Sequence, residues 1–175
     1  LLEIKEDELV LGDKNAPITF IEYSSLSCPH CAKFYNDYFH LIEKDYINTG
    51  KVKFVLRDFP LNAPAWKATM LAKCSGKKED YKNFVKILYK NQDEWAFNDE
   101  YLVKLEGYAK LLGLSKQDFD KCINDKKMEE KIKKDIELVY EVLKVNSTPS
   151  FFINNKKYSF NEVRGYKRLF DSLLK

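Results

Sequence analysis

The chain has 175 residues and a mass of 20.6 kDa, the size of one domain or of one domain carrying an insertion, and enough to bury a core without relying on staples. Hydrophobic residues make up 45% and charged residues 33%, which excludes a disordered chain, and no segment approaches the roughly 20 apolar residues of a membrane-spanning helix. The formal charge of +3 comes from 30 basic and 27 acidic residues mixed along the chain, too balanced to form an electrostatic funnel for nucleic acid.

The opening "LLEIKEDELVLG" has neither an initiator methionine nor a basic-then-apolar leader, as expected of a mature form whose targeting segment has been removed. Residues 18–24, "ITFIEYS", are rich in β-branched and aromatic types and nearly continuous in apolarity, the pattern of a strand buried on both faces. Cys28 follows, then Pro29, whose preset φ and missing N–H suit a first helical turn. "CAKFYNDYFHLIEKDYI" continues with Phe34, Tyr38, Leu41 and Ile42 at helical spacing. After "NTG", the stretch "KVKFVLRDFP" alternates Val52, Phe54 and Leu56 against polar neighbours until Pro60, a second strand. This is a β-α-β unit.

From 61 to 143 helical patterns succeed one another without a strand, separated by Gly76, by "NDE" at 98 and by "GLS" at 113. Leu102, Leu105, Ala109 and Leu112 share one helix face; Met128, Ile132, Ile136, Val139 and Leu143 mark a face of the longest helix. The run "KKMEEKIKKDIE" reads as its solvated side, with Glu129–Lys133 and Glu130–Lys134 as i,i+4 pairs. "PSFFINNKKYSF" then reads as two short strands around an Asn-Asn turn, followed by a last helix from about 161 to 174. The expected architecture is α/β: residues 1–60 and 144–175 make one sheet with helices around it, and 61–143 form an all-helical insertion packed near the first helix.

The four cysteines fall into a close pair, Cys28 and Cys31, and a distant pair, Cys74 and Cys122. An even count admits two disulfides and would favour an oxidising compartment. Two cysteines at i and i+3 in the first turn of a helix lie on one side of it, near enough to bond without backbone movement. Cys28 meets the unpaired N–H groups and the positive end of the helix dipole, both of which stabilise a thiolate; the His30 side chain adds a second partner if it turns toward that sulfur. A stabilised thiolate favours the reduced pair, which makes the disulfide an oxidant. Cys28 is then the nucleophile, and Cys31, one turn in, resolves the mixed disulfide.

Other chemistries for the pair remain. A structural zinc wants four ligands, and the remaining candidates are His30, His40, Cys74 and Cys122; His30 sits inside the loop, and a second close pair is missing, so no metal is expected. A structural staple usually joins distant segments. A reducing, cytosolic thioredoxin differs only through the electrostatics of the Pro-His insert. Glu22, in a strand otherwise built from Ile18, Phe20, Ile21 and Tyr23, is costly to bury ionised, so its pKa should rise. It is either a proton acceptor or donor for the Cys31 thiol, directly or through water, or a structural acid paired with Arg57 or Lys53.

"CPHC" at the mouth of a β-α unit, the helical insertion and "VNSTPSFFIN" at 145–154 together resemble the DsbA family of thioredoxin-fold thiol-disulfide oxidoreductases, in its alphaproteobacterial forms, over essentially the whole chain. The resemblance implies a thioredoxin fold with an inserted helical domain, catalysis by Cys28, Pro29, His30 and Cys31, and a cis Pro149 packed on the redox pair with Thr148 offering backbone hydrogen bonds to a substrate segment. From the residues alone Pro149 could equally be an ordinary trans proline at a strand start. The resemblance also implies a second disulfide, Cys74–Cys122, against the alternative of two buried thiols that never meet. The expected function is a periplasmic dithiol oxidase that inserts disulfides into reduced, unfolded or partly folded proteins. It needs no cofactor, is re-oxidised by a DsbB-like membrane quinone reductase, and acts as a monomer. Thr148, where the best-known oxidases have valine, keeps an isomerase or reductase as an alternative, and a redox-inert peptide-binding chaperone module is a third. "INN", where Asn-Gly would be usual, asks for a left-handed conformation at Asn155.

Overall fold

Alternation along Ile18–Ser24 sends Ile18, Phe20 and Glu22 to one side and Thr19, Ile21 and Tyr23 to the other, and all but Thr19 are buried. This strand, β2, is therefore covered on both faces, and it is the axis of the fold. The computed structural model describes residues 1–175. The strands are β1 (Val10–Leu11), β2, β3 (Val52–Asp58), β4 (Ser150–Ile153) and β5 (Lys156–Tyr158), in sheet order β1-β3-β2-β4-β5. β2 and β3 run parallel with Glu22 opposite Leu56; β4 joins antiparallel on the other side with Glu22 opposite Phe151. β1 was not anticipated: at two residues it is too short to carry an alternation, and it is held by antiparallel pairing of Val10 with Val55 and Leu11 with Phe54.

The helix after β2, α1, is continuous but changes its winding: α-helical over Pro29–Lys33 and His40–Ile42, π-helical over Phe34–Phe39 and Glu43–Ile47. Phe34 and Phe39 stand five residues apart, as do Ile42 and Ile47, and all four are buried. The wider π turn brings residues at i and i+5 back to one face, so the underwinding keeps these side chains on the sheet, whereas Tyr38 and Leu41, expected on that face, are only half-buried. On this side Phe20 packs edge-on or tilted against Phe34, Phe54, Phe151, Tyr166 and Phe170, the last two from α8 (Val163–Leu173). On the other face Ile21, Tyr23, Val55 and Phe152 meet Val139 and Val145.

The segment between β3 and β4 is helical: α2 (Ala63–Lys73), α3 (Lys78–Lys90), α4 (Gln92–Trp95), α5 (Tyr101–Leu111), α6 (Lys116–Ile123) and α7 (Lys126–Leu143). Its core, with Phe84, Leu88, Trp95 and Leu105 fully buried, is continuous with Leu26, Cys28, Cys31 and Ala32 at the start of α1. The expected inward face of α7 holds, with Ile132 and Val139 buried. On α5 it shifts: Leu105, Tyr108 and Ala109 are buried, but Leu102, in the first turn at the rim, is 37% exposed. The ion pairs on α7 also differ from those expected. Glu129 lies in the first turn, where the helix dipole favours an acid, and meets Lys126 at 2.9 Å; Lys133 faces Glu137 at 3.9 Å. Asn154 and Asn155 both adopt left-handed backbone (φ 46° and 66°) to turn β4 into β5, the pair of positive φ values a two-residue hairpin needs. No helix is long and apolar enough to cross a membrane.

Candidate active site

β2 ends at Ser24, and the loop that follows is tied from several sides before α1 begins. Ser27 donates to Asn62 Oδ1 at 3.0 Å, and the same oxygen caps α2 by accepting from the Ala65 N–H at 3.0 Å. The buried Gln92 amide donates to the carbonyls of Leu26 (2.7 Å) and Cys28 (3.0 Å). The helical segment thus holds the backbone on which the first cysteine sits. Cys28 is the N-cap of α1 with extended backbone, Pro29 occupies the first helical turn, and Cys31 follows one turn in.

The two sulfurs differ sharply. Cys28 is 8% exposed and Cys31 0%, so an incoming sulfur meets Cys28. A hydrogen bond from the Cys31 thiol is the largest influence on Cys28. The Thr148 hydroxyl and the main-chain N–H groups of Cys31 and His30 add to it, and against the cost of burial they bring its pKa down to about 5. Burial acts first on Cys31, and its bond to Cys28 and the nearby Glu22 charge act the same way, so its pKa is pushed far up. One sulfur is a thiolate at neutral pH and the other a thiol, the division of labour that thiol-disulfide exchange requires.

His30 stands in the first turn beside Cys28. Its side chain is exposed and what reaches the Cys28 sulfur from this residue is its main-chain N–H. The first-turn amides of His30 and Cys31 thus contribute to stabilising the Cys28 thiolate. Opposite the pair, the Thr148–Pro149 peptide bond is cis, and as a thiol Cys28 donates to the Thr148 carbonyl at 3.3 Å. Thr148 Oγ1 is buried without a partner until a Cys28 thiolate provides an acceptor.

Glu22 is 1% exposed. Burial raises its carboxyl to about 8, offset in part by a hydrogen bond from Ser24. Neither basic partner considered from the sequence reaches it. Arg57, on the opposite face of β3, is taken by Glu8 (2.5 Å) and the Tyr23 hydroxyl (2.9 Å), and Lys53 donates to the Lys14 carbonyl. Ser24 donates to Glu22 Oε1 at 2.9 Å and also meets the Tyr89 hydroxyl at 2.6 Å. Cys74 and Cys122 lie apart from the redox pair and are disulfide-bonded, joining the end of α2 to α6. Ser24, Tyr89 and Gln92 escaped the sequence reading. Ser24 had a signal, being a polar residue on the same face as Glu22, but Tyr89 and Gln92 come from a distant helical segment and had none.

A thioredoxin family model matches residues 5–172. A Rickettsia typhi protein named "Putative protein-disulfide oxidoreductase" is 32% identical over 164 residues, covering 92% of this chain and 61% of that protein, so the chain spans about 60% of that relative's length. The crystal structure of Wolbachia pipientis alpha-DsbA1 superposes with a TM-score of 0.89 at 37% identity, covering 97% of this chain and 92% of that one. BdbD from Bacillus subtilis, in its oxidised form, shares the fold with a TM-score of 0.84 at 22% identity, over 97% and 94% of the two chains. The chain belongs to the DsbA family of thiol-disulfide oxidoreductases, within the thioredoxin superfamily.

Proposed function

We propose that this chain is a dithiol oxidase that passes the Cys28–Cys31 disulfide to reduced, unfolded or partly folded exported proteins. The observation that carries the reading is the asymmetry of the pair, a Cys28 thiolate held at about 5 beside a Cys31 thiol pushed up by burial. A substrate thiolate attacks Cys28 Sγ, the Cys28–Cys31 bond breaks, and its electron pair goes to Cys31. That buried sulfur takes a proton from Glu22, whose carboxyl is still protonated at neutral pH. A second substrate thiolate then attacks the substrate sulfur of the mixed disulfide, forming the substrate disulfide. Cys28 leaves as a thiolate, and a leaving group of low pKa leaves fast. The Thr148 carbonyl, on the Cys28 sulfur in the dithiol, and Pro149 form the rim against which an extended substrate segment lies.

The disulfide carries the two electrons itself, so the turnover needs no bound cofactor. It does need an electron acceptor to restore the disulfide, which we assign to a DsbB-like quinone-linked membrane partner. A periplasmic location and a monomeric state complete the reading.

The test is the equilibrium potential of the Cys28–Cys31 couple against glutathione, with oxidative refolding of a reduced, unfolded substrate measured alongside. An oxidase gives a potential well above roughly −270 mV, the thioredoxin value, and accelerates refolding; Cys28→Ser abolishes it. A thioredoxin-like potential refutes the oxidase direction and leaves a reductase or isomerase. Undiminished refolding activity in Cys28→Ser refutes thiol exchange altogether.

A further inference from the structure

We propose that the Ser24 hydroxyl is the proton bridge between Glu22 and the Cys31 sulfur, and that the Tyr89 hydroxyl, brought in by the helical segment, is the positioning residue that orients it. The proposal rests on the reading of Glu22 as the proton source for Cys31 and names the path the proton takes.

The surroundings of Glu22 place one hydroxyl directly on its carboxyl, that of Ser24. The titratable groups that sense its charge are the thiols Cys28 and Cys31, together with Tyr35 from α1, Tyr81 and Tyr89 from α3 and Tyr166 from α8. Each of these phenols is pushed up by burial and stays protonated at neutral pH. No cation pairs with Glu22. Its Oε2 is buried without a partner, and Oε1 takes its hydrogen bond from Ser24. The direct partners of the Ser24 hydroxyl are Glu22 and Tyr89, and its influence on the nearby Cys31 sulfur is in the direction of a stabilised thiolate. Ser24 is 3% exposed, Tyr89 2% and Cys31 0%, so the hydroxyl, the phenol and the sulfur lie together in the buried layer beneath the redox pair.

A hydroxyl has one donor and two acceptor positions. With Ser24 donating to Glu22, the 2.6 Å contact to Tyr89 has to be donated by the phenol. Tyr89 thereby fills one lone pair of Ser24 and leaves the donor and the other lone pair for the exchange. When the disulfide opens, the Ser24 proton goes to the Cys31 thiolate while the Glu22 proton moves to Ser24 Oγ. The products are a Cys31 thiol, a Glu22 carboxylate and a serine hydroxyl pointing at that carboxylate. In the dithiol structure the Ser24 hydroxyl points at Oε1 at 2.9 Å, and Glu22 regains a proton before the next turnover because burial keeps its carboxyl protonated to about pH 8.

The experiment follows reduction of the oxidised protein by dithiothreitol in acid-quenched single turnovers from pH 5 to 9.5, each rate corrected for the reagent's thiolate fraction. In the wild type the corrected rate is flat and falls as Glu22 ionises near pH 8. Ser24→Ala is expected to be roughly 10²-fold slower, the scale of a positioned acid, and to lose that fall. Ser24→Thr, which restores a hydroxyl and controls for folding, returns most of the rate and the fall. Tyr89→Phe slows the reaction several-fold with the fall kept. In every variant the Cys28 thiolate, read at 240 nm, keeps its midpoint near 5. A Ser24→Ala protein with the wild-type rate and profile, or a Ser24→Thr protein as slow as Ser24→Ala, overturns the bridge. Glu22→Gln separates the two readings. If it abolishes the fall near pH 8 while Ser24→Ala does not, Glu22 acts without the serine; if neither abolishes it, Glu22 is not the proton source.

Discussion

Glu22 has a single hydrogen-bond partner and no cation, a position that is tolerable because its carboxyl stays protonated to about pH 8. This has a stability consequence. The unfolded carboxyl ionises near its ordinary value, about 4.3, so between there and pH 8 the folded state holds a proton that the unfolded state has released. Stability from this group is complete below about pH 4 and declines as the pH rises through 8. Glu22→Gln removes the titration while keeping an oxygen for Ser24. In the oxidised protein, where the active-site thiols do not titrate, guanidinium unfolding of the variant should match wild type at pH 4. By pH 8.5 the variant should be the more stable, by a few kcal/mol, at about 1.4 kcal/mol for each pH unit of raised pKa. Equal pH slopes for the two proteins would show that the carboxyl is not held neutral. The upward direction was legible from one acid in an apolar strand. The absence of a basic partner was not, since Arg57 and Glu22 sit on neighbouring strands but face opposite sides of the sheet.

At the scale of elements, most of the layout could be read because it rests on local periodicity. The β-α-β start, the helical middle and the closing hairpin and helix fall where alternation and 3.6-residue spacing put them. What escaped was set by contacts across the fold: the two-residue β1, the π turns that swing Phe39 and Ile47 onto the sheet, and the exposure of Leu102 at the rim of α5. The Cys74–Cys122 bond joins α2 to α6 across a sequence separation of 48 residues, and closing a loop of that length restricts the unfolded chain by about 4 kcal/mol in the chain-entropy account. Replacing both cysteines by alanine should therefore lower the unfolding free energy by up to that amount. The Cys28 thiolate midpoint should stay near 5, because the hydrogen bonds that lower it come from Cys31, Thr148 and His30. A double variant as stable as wild type would show that the helices are held by packing alone.

Across the whole molecule, the reduced and oxidised states are coupled to folding through two thiols shifted in opposite directions. An unfolded cysteine ionises near 8.5, whereas folded Cys28 does so at about 5. The reduced form therefore gains stability from Cys28 that is fully present above 8.5 and is lost as the pH falls through 5. Cys31 has the opposite sign: its raised pKa keeps the folded thiol protonated where the unfolded one has ionised, so its contribution is whole below 8.5 and falls at higher pH. The disulfide form has neither titration, and Glu22, buried in both, largely cancels between them. The stability of the reduced protein minus that of the oxidised protein should climb from pH 5, peak near 8.5 and turn down beyond it. Paired guanidinium unfolding curves of the two forms at pH 4, 7, 8.5 and 10 measure this difference directly. A reduced form more stable than the oxidised one at pH 7 is also what an oxidant must have, since the free energy released on reduction drives the disulfide onto the substrate. A flat difference, or a maximum at pH 5, would mean that the Cys28 thiolate is not stabilised by the fold, and the oxidase reading would lose its driving force.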